Sequence, residues 1–585
     1  MLFDTLIKNG TIVDGTGAGA RKADIRIANG EIVEIAEGLE KGPLERLIDA
    51  SDCYVTPGFI ETHNHYDAPM WWNPNLEPMS GYGVTTSVNG NCGFAAAPVS
   101  NDPEARDTMI KIFSFFEDIP ITPFRDELPW DWSTWGEYRD SMLRNLRVPV
   151  NFEFYCGHIA IRLAVMGMDA TERAASTEEI GEMQDLLREA LDAGALGLSS
   201  NTMDYDGQGN PVPTILAADE EFTALFDVLD EYEDKTFQIM MSVFQRYEGE
   251  KDLARFDPLL RGRKFRTLWA GVPTLKFQMA RLPNTHDIHQ RFKDEGREMY
   301  TTFHHVPPTT NVNFFNSLTF AQSNNLVWHE LIETKDEAGK YALLDDPDWR
   351  TRARKAWDED MYPQAYFRRP ETVTMIESES GHGPFGIGVT LADVIEQSQE
   401  DHASDALAEW LKLNGLGSTL VFVIDRESDK MLADLFKDPY AIGNVSDSGA
   451  HGQMLCGIGD HIDLIKDYVV KKGLLTIEEA IHNCTGKLAA VFGLHDRGTL
   501  ETGKVADIAV WNIDEIERRP TIRMFDVPDG TGGRTWRYTR EAAPMRLTMV
   551  AGYPTFQAGF FTGQYPGKIA GYEPTGSEEL AEAAE

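Results

Sequence analysis

The feature that most narrows the fold is a repeated change of hydrophobic period through the middle of this 585-residue chain. Ser176-Thr177-Glu178-Glu179 reads as a capping box, in which the Ser and the second Glu satisfy each other's backbone N–H groups. It opens a helix with Ile180, Met183, Leu186, Leu187, Ala190 and Leu191 on one face. Gly194 is placed to end that helix, and 195–199 follows as a strand. Phe222, Leu225, Phe226 and Leu229 mark the next helix, and 236–244 the next buried strand. Thr476-Ile477-Glu478-Glu479 is a second capping box. Strands joined through helices lie parallel, because only a crossover of that length returns the chain to the same end of a sheet. Over roughly 430 residues, a (β/α)8 barrel with insertions is expected in preference to an open doubly wound sheet.

The two ends have a different texture. Asn9-Gly10, Asp14-Gly15 and Asn29-Gly30 punctuate short alternating runs, as hairpins require. Similar runs recur at 503–511 and 545–553. Neither set can bury a face alone, so they are expected to pack into one small β-sandwich built from both ends. The expected division is 1–56 and 491–575 for the sandwich, 57–490 for the barrel, and 576–585 for a loose acidic tail. Two stretches break the repeat. Residues 101–147, rich in Phe and Trp, are expected as an excursion near the barrel mouth, and about 306–372 as an insertion flanking it.

Length allows two or three domains. A formal net charge of −40 argues against nucleic acid or anionic membrane as a partner. Five scattered cysteines without a C-x-x-C pair suit a reducing compartment. The N-terminus reads as neither a signal peptide nor a membrane span, so a cytoplasmic location is expected.

Chemistry is concentrated where Val55 to Asp67 runs from a Pro57-Gly58 turn through Phe59-Ile60-Glu61-Thr62 to His63-Asn64-His65. Residues i and i+2 of an extended segment share a face, so both imidazoles project together. With a thiolate or carboxylate from elsewhere they suit zinc; alone they are polar residues at a strand end. Gly83 to Gly93 is a β-branched strand ending in Cys92, which could equally be an inert buried thiol. In 442–451, Asp447 could be an Asx-turn residue before Gly449.

Together these segments resemble the amidohydrolase superfamily, and within it the N-acyl-D-amino-acid deacylase branch. Pro57-Gly58-Phe59-Ile60-Glu61-Thr62-His63-Asn64-His65 is similar to its first barrel strand. Gly90-Asn91-Cys92-Gly93 is similar to the end of its second, where the cysteine binds metal. Asp447 matches the aspartate that binds metal and shuttles a proton. Asp496 to Asp507 resembles the family's return into the sandwich. Gly157-His158-Ile159-Ala160-Ile161-Arg162 and Leu198 to Tyr205 resemble further family segments. The resemblance implies His63, His65, Cys92 and Asp447 as metal ligands, Asp447 as general acid/base, and His158, Tyr205 and His451 as substrate contacts. It also implies a small-molecule substrate with an amide C–N bond, such as an N-acyl D-amino acid.

One departure stands out. The branch brings two further metal-binding histidines from strands 5 and 6, yet no histidine lies between His158 and His286. On the expected strands, 236–244 and 272–279, the polar stand-ins are Gln238, Lys276 and Gln278. His304-His305 is a reserve ligand pair, and His286 and His289 are expected at the surface. One zinc ion is therefore expected rather than two. Trp71, Trp72, Phe94, Phe314 and Phe315 hint at an apolar acyl group. The alternatives are a hydantoinase-like hydrolase of cyclic amides, and a binding protein on an impaired barrel. A homo-oligomer is left open.

Overall fold

The computed structural model describes residues 4–241, 249–270, 272–275, 282, 284–306, 309–362, 365–380, 385–423 and 428–569. Its centre is a closed barrel of eight parallel strands. In chain order these are β1 (Phe59–Glu61), β2 (Val84–Asn89), β3 (Asn151–Phe154, continued by Cys156–Gly157), β4 (Gly197–Asn201), β5 (Thr236–Met240), β6 (Arg266–Ala270), β7 (Met299–Thr302) and β8 (Ala441–Ile442). Each pairs in parallel with the next; Glu61 faces Ser87, Ser199 faces Gln238, and Thr302 faces Ile442. The ring closes just past β8, where Asn64 bridges Ser448 in parallel and the Asn444 side chain donates to the Ile60 carbonyl at 2.8 Å. Gly449 is needed at this seam. Its φ is +89°, and a Cβ there would sit 2.7 Å from the His65 backbone. Ile60, Val88, Tyr155, Leu268, Tyr300 and Ile442 form one buried cluster, so the barrel is a packed core and not a pore.

Both capping boxes are present, at helices Thr177–Asp192 and Ile477–Cys484. The sixth strand corrects the sequence reading: it is Arg266–Ala270, ahead of the expected 272–279, because Pro273 cannot serve a central strand. Lys276 and Gln278 lie outside the described residues, as does the expected strand continuation at 242–244.

Strands from the two ends interleave as expected. In a seven-stranded sheet, Tyr54–Pro57 pairs with Thr11–Ile12 on one side and with Ile508–Trp511 on the other. A four-stranded sheet of Thr5–Lys8, Asp24–Ala28, Glu31–Ala36 and Arg46–Asp49 accompanies it. Ile7, Ile25, Ile27, Val55, Val510 and Met549 share their core.

The segment between β7 and β8 builds a layer of its own. Its antiparallel sheet sets Thr419–Val423 between Thr309–Val312 and Val373–Glu377. Helices over it supply a separate core that includes Phe320, Trp328, Trp349 and Phe367. The insertion expected at about 306–372 thus continues to Val423. Two of its three strands follow residue 372 and find partners only across long sequence separations. The excursion between β2 and β3 is helical, led by α1 (Pro103–Glu117). Among the described residues no helix is long and apolar enough to cross a membrane.

Candidate metal centre

The site lies beyond the C-terminal ends of the barrel strands, where loops are free to vary over a rigid frame. β1 delivers His63 and His65. A tight turn after β2 delivers Cys92, held at φ +59°, and the segment after β8 delivers Asp447 and His451 at φ +56° and +51°. Left-handed backbone costs a non-glycine residue about 1–2 kcal/mol, so three such residues around one cavity mark a constrained site. The seam holds them in place: Asp447 N–H donates to the His63 carbonyl at 3.0 Å and His65 N–H to the Ser448 carbonyl at 2.8 Å.

The donor atoms converge. His63 Nε2 lies 3.0 Å from Cys92 Sγ, and His65 Nε2 lies 4.0 Å from it. Asp447 Oδ1 is 3.3 Å from His65 Nε2 and 3.9 Å from His63 Nε2. Ligands at zinc-like bond lengths in a tetrahedron are about 3.3–3.8 Å apart. The four residues therefore fit a zinc ion in donor type and spacing. Burial lowers the His63 pKa to about 3 and also lowers that of His65, which keeps both imidazoles neutral. Burial, helped by the Glu117 charge, pushes the Cys92 thiol well up. Without a cation this pocket opposes a thiolate, and a divalent ion reverses that. Burial would raise Asp447 too, but contacts with His451 and His65 outweigh it and hold its carboxyl well below the usual range.

Gln238, at the β5 position where the branch resemblance implies a histidine, has another task. Its Oε1 accepts the Cys92 N–H at 2.7 Å, and Ser199 Oγ accepts the Gly93 N–H at 3.0 Å. The amide fixes the loop that carries the thiol.

The other expected site residues separate. His451 lines the cavity, with Nε2 3.4 Å from Asp447 Oδ2. His158 does not: it is fully buried, its Nδ1 2.9 Å from Ser200 Oγ and its Nε2 2.7 Å from Glu221 Oε1, which also pairs with Arg162. A pocket-wall role for His158 is corrected to an internal brace. Tyr205 bridges to Pro211 and likewise is not among the lining residues, whereas its neighbour Asp204 is. His305 is buried against the Asp460 carbonyl at 2.8 Å, leaving His304 on the cavity wall. His289 is buried, not at the surface, where it meets Asp438 at 3.2 Å.

Two carboxylates escaped the sequence reading. Glu117 Oε2 lies 3.5 Å from His65 Nε2 and 3.7 Å from His451 Nε2. Burial, then the Asp447 charge, raises its pKa well above the usual range. Burial takes Asp204 up to about 8. The sequence held one clue: Glu117 ends α1, where the helix dipole disfavours an anion.

The cavity, about 600 Å³, extends from these groups to the inserted layer at Tyr366 and Arg369 and to Arg518 and Arg540 beside the Thr521–Pro528 hairpin. The aromatics singled out in the sequence are elsewhere. Trp71 stacks on Trp132, Phe94 on Phe113, and Phe314 lies in the inserted layer's core.

An eight-stranded parallel barrel with such a donor set at its open end defines the class: a metal-dependent hydrolase barrel. More narrowly, the chain belongs to the amidohydrolase family, whose profile matches residues 46–268 and 438–556. The unmatched stretch contains the inserted layer. The chain is 25% identical over 572 residues to the D-aminoacylase of Alcaligenes xylosoxydans xylosoxydans, covering 97% of each chain. It is 34% identical over 217 residues to that organism's N-acyl-D-aspartate deacylase, covering 36% of this chain and 39% of the other. Among solved structures, a D-aminoacylase superposes with a TM-score of 0.64 at 19% identity, covering 97% of this chain and 99% of that one. The N-acyl-D-glutamate deacylase of Bordetella bronchiseptica, solved with zinc and a phosphonate inhibitor, gives 0.62 at 21%, covering 97% and 100%.

Proposed function

We propose that this chain is a zinc-dependent hydrolase of the amide bond in N-acyl D-amino acids. The observation that carries the reading is the convergence of His63, His65, Cys92 and Asp447 donor atoms within 3.0–4.0 Å of one another's neighbours at the barrel mouth. Similarity over 97% of both chains to a D-aminoacylase supports the substrate class. One zinc ion, held by these four residues, suffices for the reaction.

Bound there, zinc supplies Lewis acidity, making water a nucleophile near neutral pH and polarising a carbonyl. The chain's own groups do the rest. Asp447, held ionised by its imidazole neighbours, accepts the proton of the attacking water and returns it to the leaving nitrogen. His451, 3.4 Å from Asp447 Oδ2, orients that carboxylate against the substrate. Phe116, Met203, Met240, Val272, Phe303 and Met454 give the acyl group an apolar wall. Arg369 and Arg540 bring positive charge to the outer cavity, suited to a substrate carboxylate. Arg518, beside them, is committed to Asp460 and Asp463 at 2.7 and 3.1 Å.

The test is a side-by-side assay of the zinc-loaded protein on N-acyl D-amino acids, their L-enantiomers and hydantoins, with metal content measured on the same sample. Turnover of the D-series alone is expected. Preference for hydantoins would move the chain to cyclic-amide hydrolysis, and failure to retain zinc would leave it a binding protein.

A further inference from the structure

We propose that the cavity holds a second, weaker divalent-cation position beside the first, formed by Glu117 and His451, with Asp447 shared between the two. The inference rests on the hydrolase reading above. Asp447 addresses two different neighbours with its two oxygens: Oδ1 faces His65 and His63, and Oδ2 faces His451 Nε2 at 3.4 Å. Glu117 closes the second group, with Oε2 3.7 Å from the same His451 nitrogen. His65 Nε2 is within reach of either group but can bind only one ion, so it stays with Cys92 and His63.

Charge supplies the independent argument. Glu117 is 4% exposed, and its ion-pair partners among the described residues are the two imidazoles. Asp204, 2% exposed, lines the same cavity, and its Oδ1 is buried with no hydrogen-bond partner among the described residues. Its charge acts on both Glu117 and His451. One divalent ion at the first position offsets the Cys92 thiolate and Asp447. Two buried carboxylates then remain, and buried charge without a partner is strongly disfavoured. A second cation between Glu117, His451 and Asp447, facing Asp204, compensates both. The donors are oxygen and imidazole without thiolate, a set that takes zinc, cobalt or manganese and holds them less firmly than the cysteine-containing position. This position lies away from β5, where Gln238 is committed to the Cys92 loop.

The experiment is equilibrium dialysis of the tag-free full chain against rising Zn2+, with bound metal counted by mass spectrometry and repeated with Co2+ for its absorption spectrum. Two equivalents are expected. The first should show a thiolate-to-cobalt band; the second, weaker one should add ligand-field absorption without strengthening that band. Glu117→Gln should saturate at one equivalent with the thiolate band unchanged, and His451→Asn, as a second variant, should do the same. Asp204→Asn should weaken the second equivalent about tenfold. Circular dichroism verifies that each variant is folded. A wild-type protein that hydrolyses amides but saturates at one equivalent overturns this inference and spares the hydrolase reading. A wild-type protein that binds none overturns both, and two equivalents retained in Glu117→Gln and His451→Asn would also overturn it.

Discussion

Cys92 carries the heaviest demand of any single residue. Burial pushes its thiol well up, yet as a zinc ligand it must surrender its proton. Metal uptake should therefore release a proton at this residue, and zinc affinity should fall about tenfold for each unit of pH decrease wherever that one proton governs binding. Competition with a zinc chelator across pH measures the slope; a flat profile would remove Cys92 from the ligand set. Cys92→Ser should lose the metal. Asp447→Asn should keep much of it while kcat falls by about 10²–10⁴, with KM little changed, as steady-state kinetics on the zinc-loaded variant would show. Residues differ in how well they announced themselves. His63 and His65 were legible because a two-residue spacing already fixes a shared face. Cys92 and Asp447 were legible only through family-like flanks, since each alone suits a core thiol or a turn. Glu117 and Asp204 were invisible, because nothing local reveals that their carboxylates turn toward histidines distant in sequence.

At the scale of elements, the loop after β2 depends on β4 and β5 to hold its shape. Removing the Gln238 acceptor by Gln238→Ala leaves the buried Cys92 N–H unpaired, at a cost of about 1–3 kcal/mol in stability. Zinc affinity should fall about 10–100-fold as the thiol loses its fixed position. Thermal melts with and without zinc separate the two effects: a loss seen only in the metal-free melt would limit Gln238 to stability. The helix starts were the most readable elements, because a capping box is a local device. Ser176→Ala or Thr476→Ala should each cost about 1 kcal/mol. The inserted sheet was the least readable. Its middle strand, Thr419–Val423, is paired with segments over forty and over a hundred residues away.

For the whole molecule, pH acts through groups far from the metal centre. Glu153 on β3 is buried, and desolvation lifts its pKa to about 7 despite the opposing charge of Arg497. The folded state thus holds this proton more tightly than the unfolded chain, where a glutamate titrates near 4.3. Its contribution is complete below about pH 4 and is lost as pH rises through about 7, on the order of 3 kcal/mol in all. Denaturant titrations between pH 4 and 8 should show stability falling with pH, and Glu153→Gln should flatten that trend. If the variant follows the wild-type curve, the proton resides elsewhere.

The pairing of Tyr54–Pro57 with Ile508–Trp511 has a consequence for the birth of the protein. Roughly 450 residues must leave the ribosome before that strand meets its partner, which takes tens of seconds at ordinary translation speed. Meanwhile the nascent chain carries a bare β-edge, open to any other strand it encounters. The hazard this architecture accepts therefore belongs to synthesis, and crowding at the ribosome will limit its yield before heat limits its lifetime.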